Sequence, residues 1–138
     1  MRKNDIYILK DEIYRILQIK DDNCLVINCN GNSMPIWMSL DTFWDVPTIS
    51  DEDLYTQLNK ELLEDDLIVL ERKRIMYERF TMIAPILSFI DDSYTRSHVI
   101  NIIANEYQIS KQSIRNYLKQ YLILQNIQAL LPKERVQK

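Results

Sequence analysis

A single glycine, Gly31, in 138 residues is the tightest limit on what this chain can build. Phosphate-cradling loops bring several backbone N–H groups against a pyrophosphate, and each close approach calls for its own glycine. One glycine excludes both the dinucleotide and the P-loop versions. The chain is also too short for a doubly wound nucleotide fold or a barrel of strands and helices. Its 46% apolar content suffices for packed cores, and 27% charge is ordinary for a globular protein of one or two small domains.

Cys24 and Cys29 are five apart in a segment that alternates like a strand, so their thiols point to opposite faces. With His98 the only histidine and distant in sequence, neither a disulfide nor a tetrahedral zinc site is expected. Two reduced thiols fit a cytoplasmic protein. The Met1 to Asp5 start carries no apolar run, and no stretch approaches the ~18–20 apolar residues of a membrane span.

The formal charge of −3 is a sum of unlike halves. Residues 1–70 carry 6 Lys/Arg against 14 Asp/Glu, an excess of eight acids. Residues 71–138 carry 11 against 6, an excess of five bases. Such asymmetry points to a localised interaction face rather than a uniformly acidic surface.

Periodicity divides the chain at the same place. Residues 6–9, 12–20, 24–28 and 34–40 read as strands, with Asp21-Asp22-Asn23 as one turn and Asn30-Gly31 as a tight hairpin with positive φ. They predict an antiparallel meander or SH3-like unit, covered by Trp37, Phe43 and Trp44. Ser50 followed by Asp51-Glu52-Asp53 is a capped helix start, and the spacing predicts a helix over 51–64. Further helices are predicted over 67–90, kinked at Pro85, then over 95–106 and 110–124. The expected fold is α+β: a β-rich unit with its acidic helix over 1–66, a helical domain over 67–132, and the start of a linker over 133–138.

Residues 97–122 read SHVINIIANEYQISKQSIRNYLKQYL, the spacing of a helix-turn-helix. Ala104 sits where two crossing helices need a small side chain, and Ile103, Tyr107, Ile109, Ile114 and Tyr117 are placed to close the core. Ser110 can cap the second helix. Gln108 stands where glycine often makes the turn, at a cost of ~1 kcal/mol if the backbone is left-handed. At about 100° per residue, Lys111, Gln112, Arg115, Asn116 and Lys119 occupy one arc of the second helix. Ile114, Tyr117, Leu118 and Tyr121 occupy the other. The polar arc holds no acid, and its residue types are those that pair with base edges and phosphates in a major groove. Lys111, Gln112, Arg115 and Asn116 are the candidates for base edges. Ser110, Lys119 and the triplet Arg72-Lys73-Arg74 are the candidates for phosphates.

Residues 71–87, with Arg72-Lys73-Arg74 leading into Tyr77-Glu78-Arg79-Phe80 and Ile83-Ala84-Pro85-Ile86-Leu87, resemble the segment before the helix-turn-helix of TnsB-type transposases. These are the enzymes of Tn-seven-like cut-and-paste elements, related to the phage Mu transposase. Tyr107-Gln108-Ile109-Ser110, Tyr117-Leu118, Tyr121 and Ala129-Leu130-Leu131-Pro132 extend the resemblance, as does Tyr14-Arg15-Ile16-Leu17 in the β unit. The resemblance implies sequence-specific binding of double-stranded DNA at transposon ends, alongside other transposition subunits. It also implies strand transfer by a separate domain with three carboxylates and Mg²⁺, downstream of the helix-turn-helix. With the sequence stopping at Lys138, these residues are expected to bind DNA without being an enzyme and without a cofactor.

Two other classes compete. Asp21-Asp22, Asp65-Asp66 and Asp91-Asp92 invite a metal-dependent enzyme, but all three pairs fall at element boundaries, where Asp closes turns and caps helices. His98 has no partner that spacing identifies for nucleophilic catalysis. A protein-interaction module, with the acidic helix docking a basic partner or masking the basic half, is the second alternative. A stand-alone regulator is the rival within DNA binding.

Overall fold

Five short strands form one antiparallel sheet in the order β4-β3-β2-β1-β5. They are β1 (Ile6–Leu9), β2 (Glu12–Lys20), β3 (Asn23–Asn28), β4 (Ile36–Ser39) and β5 (Thr48–Ile49). The structure is a computed structural model and describes residues 1–133. β1 to β4 run as a meander, and a 3₁₀ turn over Leu40–Phe43 returns the chain so that β5 pairs with β1. This is the strand order of the expected SH3-like unit. Lys10 and Asp11 form the two-residue β1–β2 turn with φ of 50° and 67°, the mirror-image geometry that suits strand twist.

Asn30 and Gly31 do not form the expected tight hairpin, since neither has positive φ. Asn28 Oδ1 instead accepts the N–H groups of Asn30 (2.9 Å) and Gly31 (3.1 Å). The side chain thus substitutes for a backbone turn and opens a longer loop to β4.

Both faces of the sheet are buried. Alternation along β2 turns Ile13, Arg15 and Leu17 to one face and Ile16 to the other, with a register shift against β3 between Ile16 and Gln18. The second face joins Tyr7, Ile16, Cys24, Val26 and Phe43, whose ring lies 5.1 Å from that of Tyr7. Of the three aromatics expected to cover the sheet, only Phe43 does so. Trp44 is 85% exposed, and Trp37 sits at the sheet edge with its indole N–H donating to Asp91 O at 2.9 Å. Cys24 and Cys29 fall in different clusters, both free. Burial pushes the Cys29 thiol up to about 11, which keeps it protonated and inert.

Helix α1 (Asp51–Gln57) starts at the expected Ser50 cap, whose Oγ accepts Asp53 N–H at 3.1 Å. It ends well before residue 64, because Asn59 turns left-handed with φ of 56°. Residues beyond it are held from afar: the Gln128 amide bonds both the N–H and the carbonyl of Leu63 at 2.7 Å. Helix α2 (Leu70–Ile83) gives way at Pro85, which lacks an N–H to donate, to 3₁₀ geometry over Ala84–Phe89. Helices α3 (Ser93–Tyr107) and α4 (Lys111–Leu124) follow, and a 3₁₀ turn (Ile127–Leu130) closes the described chain.

The other face of the sheet is where the helices pack. Ile13, Leu17 and Ile27 from strands lie in one buried cluster with Ile86, Ile100, Ile114 and Leu118 from helices. The change at residue 66 is therefore a change of secondary structure within a continuous core. The expected linker falls outside the described residues beyond Lys133.

Arg15, 1% exposed, fastens this interface. Its Nε donates to Ile123 O at the end of α4 (2.7 Å), Nη1 to Asn4 O (2.9 Å), and Nη2 to the Asp51 carboxylate at the start of α1. Removing it orphans two carbonyls and leaves a cavity between sheet and helices. Arg15→Ala is expected to cost about 3 kcal/mol in urea unfolding. Wild-type far-UV dichroism and tryptophan fluorescence should report one coincident transition. Separate transitions for sheet and helices would contradict a shared core.

Candidate nucleic-acid interface

Local chemistry fixes the α3–α4 pair at both ends of each helix. Asp92 caps α3, its carboxylate accepting the N–H groups of Tyr94 (3.1 Å) and Thr95 (3.4 Å) and the Thr95 hydroxyl (2.8 Å). Gln108 adopts φ 57°, ψ 43°, the left-handed one of the two forms open to a residue other than glycine at this turn. Its amide Nε2 donates to Asn105 O at 2.7 Å, and Ile109 N–H reaches back to Ala104 O at 3.1 Å. Ser110 then caps α4, its Oγ accepting Ser113 N–H at 3.0 Å. Ile103, Ala104 and Ile114 are buried between the helices, and Ile109 and Tyr117 pack at the edge. Tyr107 lies outside this core, exposed beside the turn.

The carbonyls at the end of α4 have no partner within the helix, and side chains supply most of what is missing. Gln125 N–H bonds Tyr121 O (2.7 Å) and its Nε2 bonds Leu122 O (2.8 Å). Arg15 takes Ile123 O and the Tyr55 hydroxyl takes Leu124 O (2.9 Å). Two of these caps come from the sheet and α1, so the rear of α4 is pinned to the β-rich half. Its front half stands clear. Lys111, Gln112 and Asn116 are exposed and Arg115 half-buried. Gln112 Nε2 donates to Asn116 Oδ1 at 3.0 Å, and no ion pair among the described residues engages Lys111 or Arg115.

The expected phosphate contacts separate into two groups. Ser110 remains exposed at the front of α4. Lys119 is instead turned to the β3–β4 loop, donating to Gly31 O (2.9 Å) and Asn32 Oδ1 (3.0 Å). The triplet is used inside the molecule. Arg72 Nη2 donates to Pro132 O at 2.9 Å, Lys73 pairs with Asp65 at 2.8 Å, and Arg74 is held between Glu71 (2.7 Å) and Glu78 (2.9 Å). Hydrogen bonding from Arg74, then its charge, holds the Glu71 carboxyl below its ordinary value. Helical spacing sends the three basic side chains in different directions, and nearby acids neutralise two of them. They do not form a shared phosphate cradle.

Arg79 was not singled out by the sequence, yet its guanidinium lies 4.7 Å from the centre of the Tyr117 ring and donates to Leu130 O at 3.1 Å. A basic residue at helical distance from an aromatic on a partner helix leaves no local signal. The acidic pairs do local work where they were expected to: Asp21 turns the chain with φ of 55°, and Asp92 caps α3. No helix among the described residues is long and apolar enough to cross a membrane, and no cluster of acidic, histidine or cysteine residues there is suited to a metal ion. No protein-family model and no curated protein matches the chain.

The Asp92 cap carries a pH signature. Hydrogen bonds from Thr95, the side chain first and then the backbone, lower its pKa from the ordinary 3.8. A carboxylate lowered on folding contributes stability that is complete above its unfolded value and is lost as pH falls through the folded one. The stability gap between wild type and Asp92→Ala, read by amide exchange at Tyr94 and Thr95, should be full at neutral pH and close in acid. A gap independent of pH would mean that the cap is not carried by the carboxylate.

Proposed function

We propose that this chain binds double-stranded DNA in a sequence-specific manner, with the front of α4 entering the major groove. The observation that carries this reading is the acid-free face of Lys111, Gln112, Arg115 and Asn116, left uncovered at the N-terminal half of a helix whose rear is anchored. Recognition helices read bases with their N-terminal residues, and these side-chain types match the guanine and adenine edges presented there. Ser110 and the N–H groups of the first turn face the same side and suit a phosphate. The resemblance to TnsB-type transposases makes transposon ends the proposed target. Binding is then the proposed activity of these residues, with strand transfer left to a separate Mg²⁺-dependent domain.

Selection from duplexes with a randomised centre tests this directly. The protein should recover a consensus, and its affinity should fall with added salt by a slope near the number of phosphates neutralised. Arg115→Ala should cost about 1–3 kcal/mol on the selected duplex and relax preference at one base pair. Equal affinity for selected and scrambled duplexes would refute sequence-specific binding. A protein-interaction module is the second reading, favoured by Leu67, Val69 and Leu70, which are exposed together beside Asp65 and Asp66. Absence of DNA binding even at low salt would select it.

A further inference from the structure

The first 70 residues carry a large acidic excess, yet between Asp22 and Asp41 there is no charged residue. This neutral stretch contains β3, β4 and the loop joining them, and that loop is the part of the sheet that reaches the polar face of α4. Lys119 holds it there through Gly31 O and Asn32 Oδ1. Both partners are neutral, and among the described residues no acid pairs with the ammonium.

The position along α4 matters. Eight residues separate Lys111 from Lys119, about 12 Å at the helical rise. A recognition helix meets base edges with its N-terminal residues, so with Lys111 at the bases the loop beside Lys119 would lie away from them, toward the DNA backbone. Asn32 turns its Oδ1 to Lys119, and a planar amide then presents Nδ2 to the other side. Neither Asn32 Nδ2 nor the Ser33 hydroxyl donates a bond among the described residues, and both side chains are exposed. Gly31 lets the loop fold this closely. A Cβ there would come within 3.2 Å of the Asn28 side chain, whose amide is already fixed by Glu12 at 2.8 Å.

We propose that residues 31–33 are a second DNA contact, in which Asn32 Nδ2 and the Ser33 hydroxyl donate to backbone phosphates at the groove rim. Lys119 acts as a positioning residue for the loop. The proposal rests on the DNA-binding reading of α4 and adds the β-rich half to the same surface.

The test uses a duplex recovered by the wild-type protein, with affinity, salt slope and phosphate-ethylation interference as readouts. Asn32→Ala with Ser33→Ala should bind about fivefold to tenfold more weakly. The salt slope should stay the same, because neutral donors release no counterions. Interference should vanish at phosphates on one flank alone, whereas Arg115→Ala should keep that flank. Ser33→Asp, which sets a charge against the phosphate, should weaken binding further. An unchanged affinity with an unchanged interference pattern overturns the proposal, as does weaker binding with flank interference intact. Wild-type protein that binds no duplex overturns the α4 reading as well, so the two failures are distinct.

Discussion

Arg15 is a charge placed where each of its three side-chain nitrogens finds an acceptor. Burying a guanidinium is costly unless its hydrogen bonds are met, and here the partners come from three places: the segment before β1, the start of α1 and the end of α4. Two of those places favour a cation. The C-terminus of α4 carries the negative end of the helix dipole, and Asp51 supplies a carboxylate. The guanidinium meets the last turn of α4, the segment before β1 and the start of α1 at once, so one side chain from the sheet adds to the Gln125 cap in closing α4. The acidic and basic halves are thus coupled before any ligand is considered.

That coupling determines which surface remains for function. A helix anchored at its rear by Arg15, Tyr55 and Gln125 presents its front half at a fixed angle to the sheet. The opposite charges of the two halves meet directly in Lys73–Asp65, while Arg15–Asp51 is paired within the acidic half. What is left exposed and unpaired on α4 is a small number of cations interleaved with amides. In the proposed DNA contact, such a face would discriminate by hydrogen-bond pattern more than by bulk charge.

Short-range chemistry was legible in the sequence, and long-range partnership was not. β1 and β2 follow from runs of apolar, β-branched and aromatic residues, the starts of α1 and α4 from serine caps, and the turn at Gln108, though not its hand, from its place in the motif. Each depends on residues within a few positions of one another. The length of α1 was misread because Leu54 and Leu58 keep helical spacing, while Asn59 ends the helix and Gln128 holds the segment beyond it. The Arg72-Lys73-Arg74 triplet looked like one patch because sequence adjacency hides the 100° turn between neighbours on a helix. Lys119 has the right spacing for the proposed DNA face and is turned to a loop 88 positions away.

The scarcity of glycine explains how a chain of this kind sets its turns. Among the described residues, eight other than glycine adopt positive φ, whereas Gly31 does not. For Gln108 and Gln125 the compensation is visible: each sends its own amide back to a carbonyl three residues earlier, Asn105 O and Leu122 O. Left-handed geometry costs about 1–2 kcal/mol for a residue with a Cβ. A hydrogen bond returns roughly 0.5–1.5 kcal/mol, and forgoing glycine spares roughly 0.4–1 kcal/mol of unfolded-state entropy. The terms nearly cancel, so a glutamine stop is about as stable as a glycine stop while adding a side-chain tether. Placed at both ends of the α4 unit, these tethers fix the turn into the helix and the exit from it. The single glycine then stands at the loop beside α4, where a Cβ would come within 3.2 Å of the Asn28 side chain.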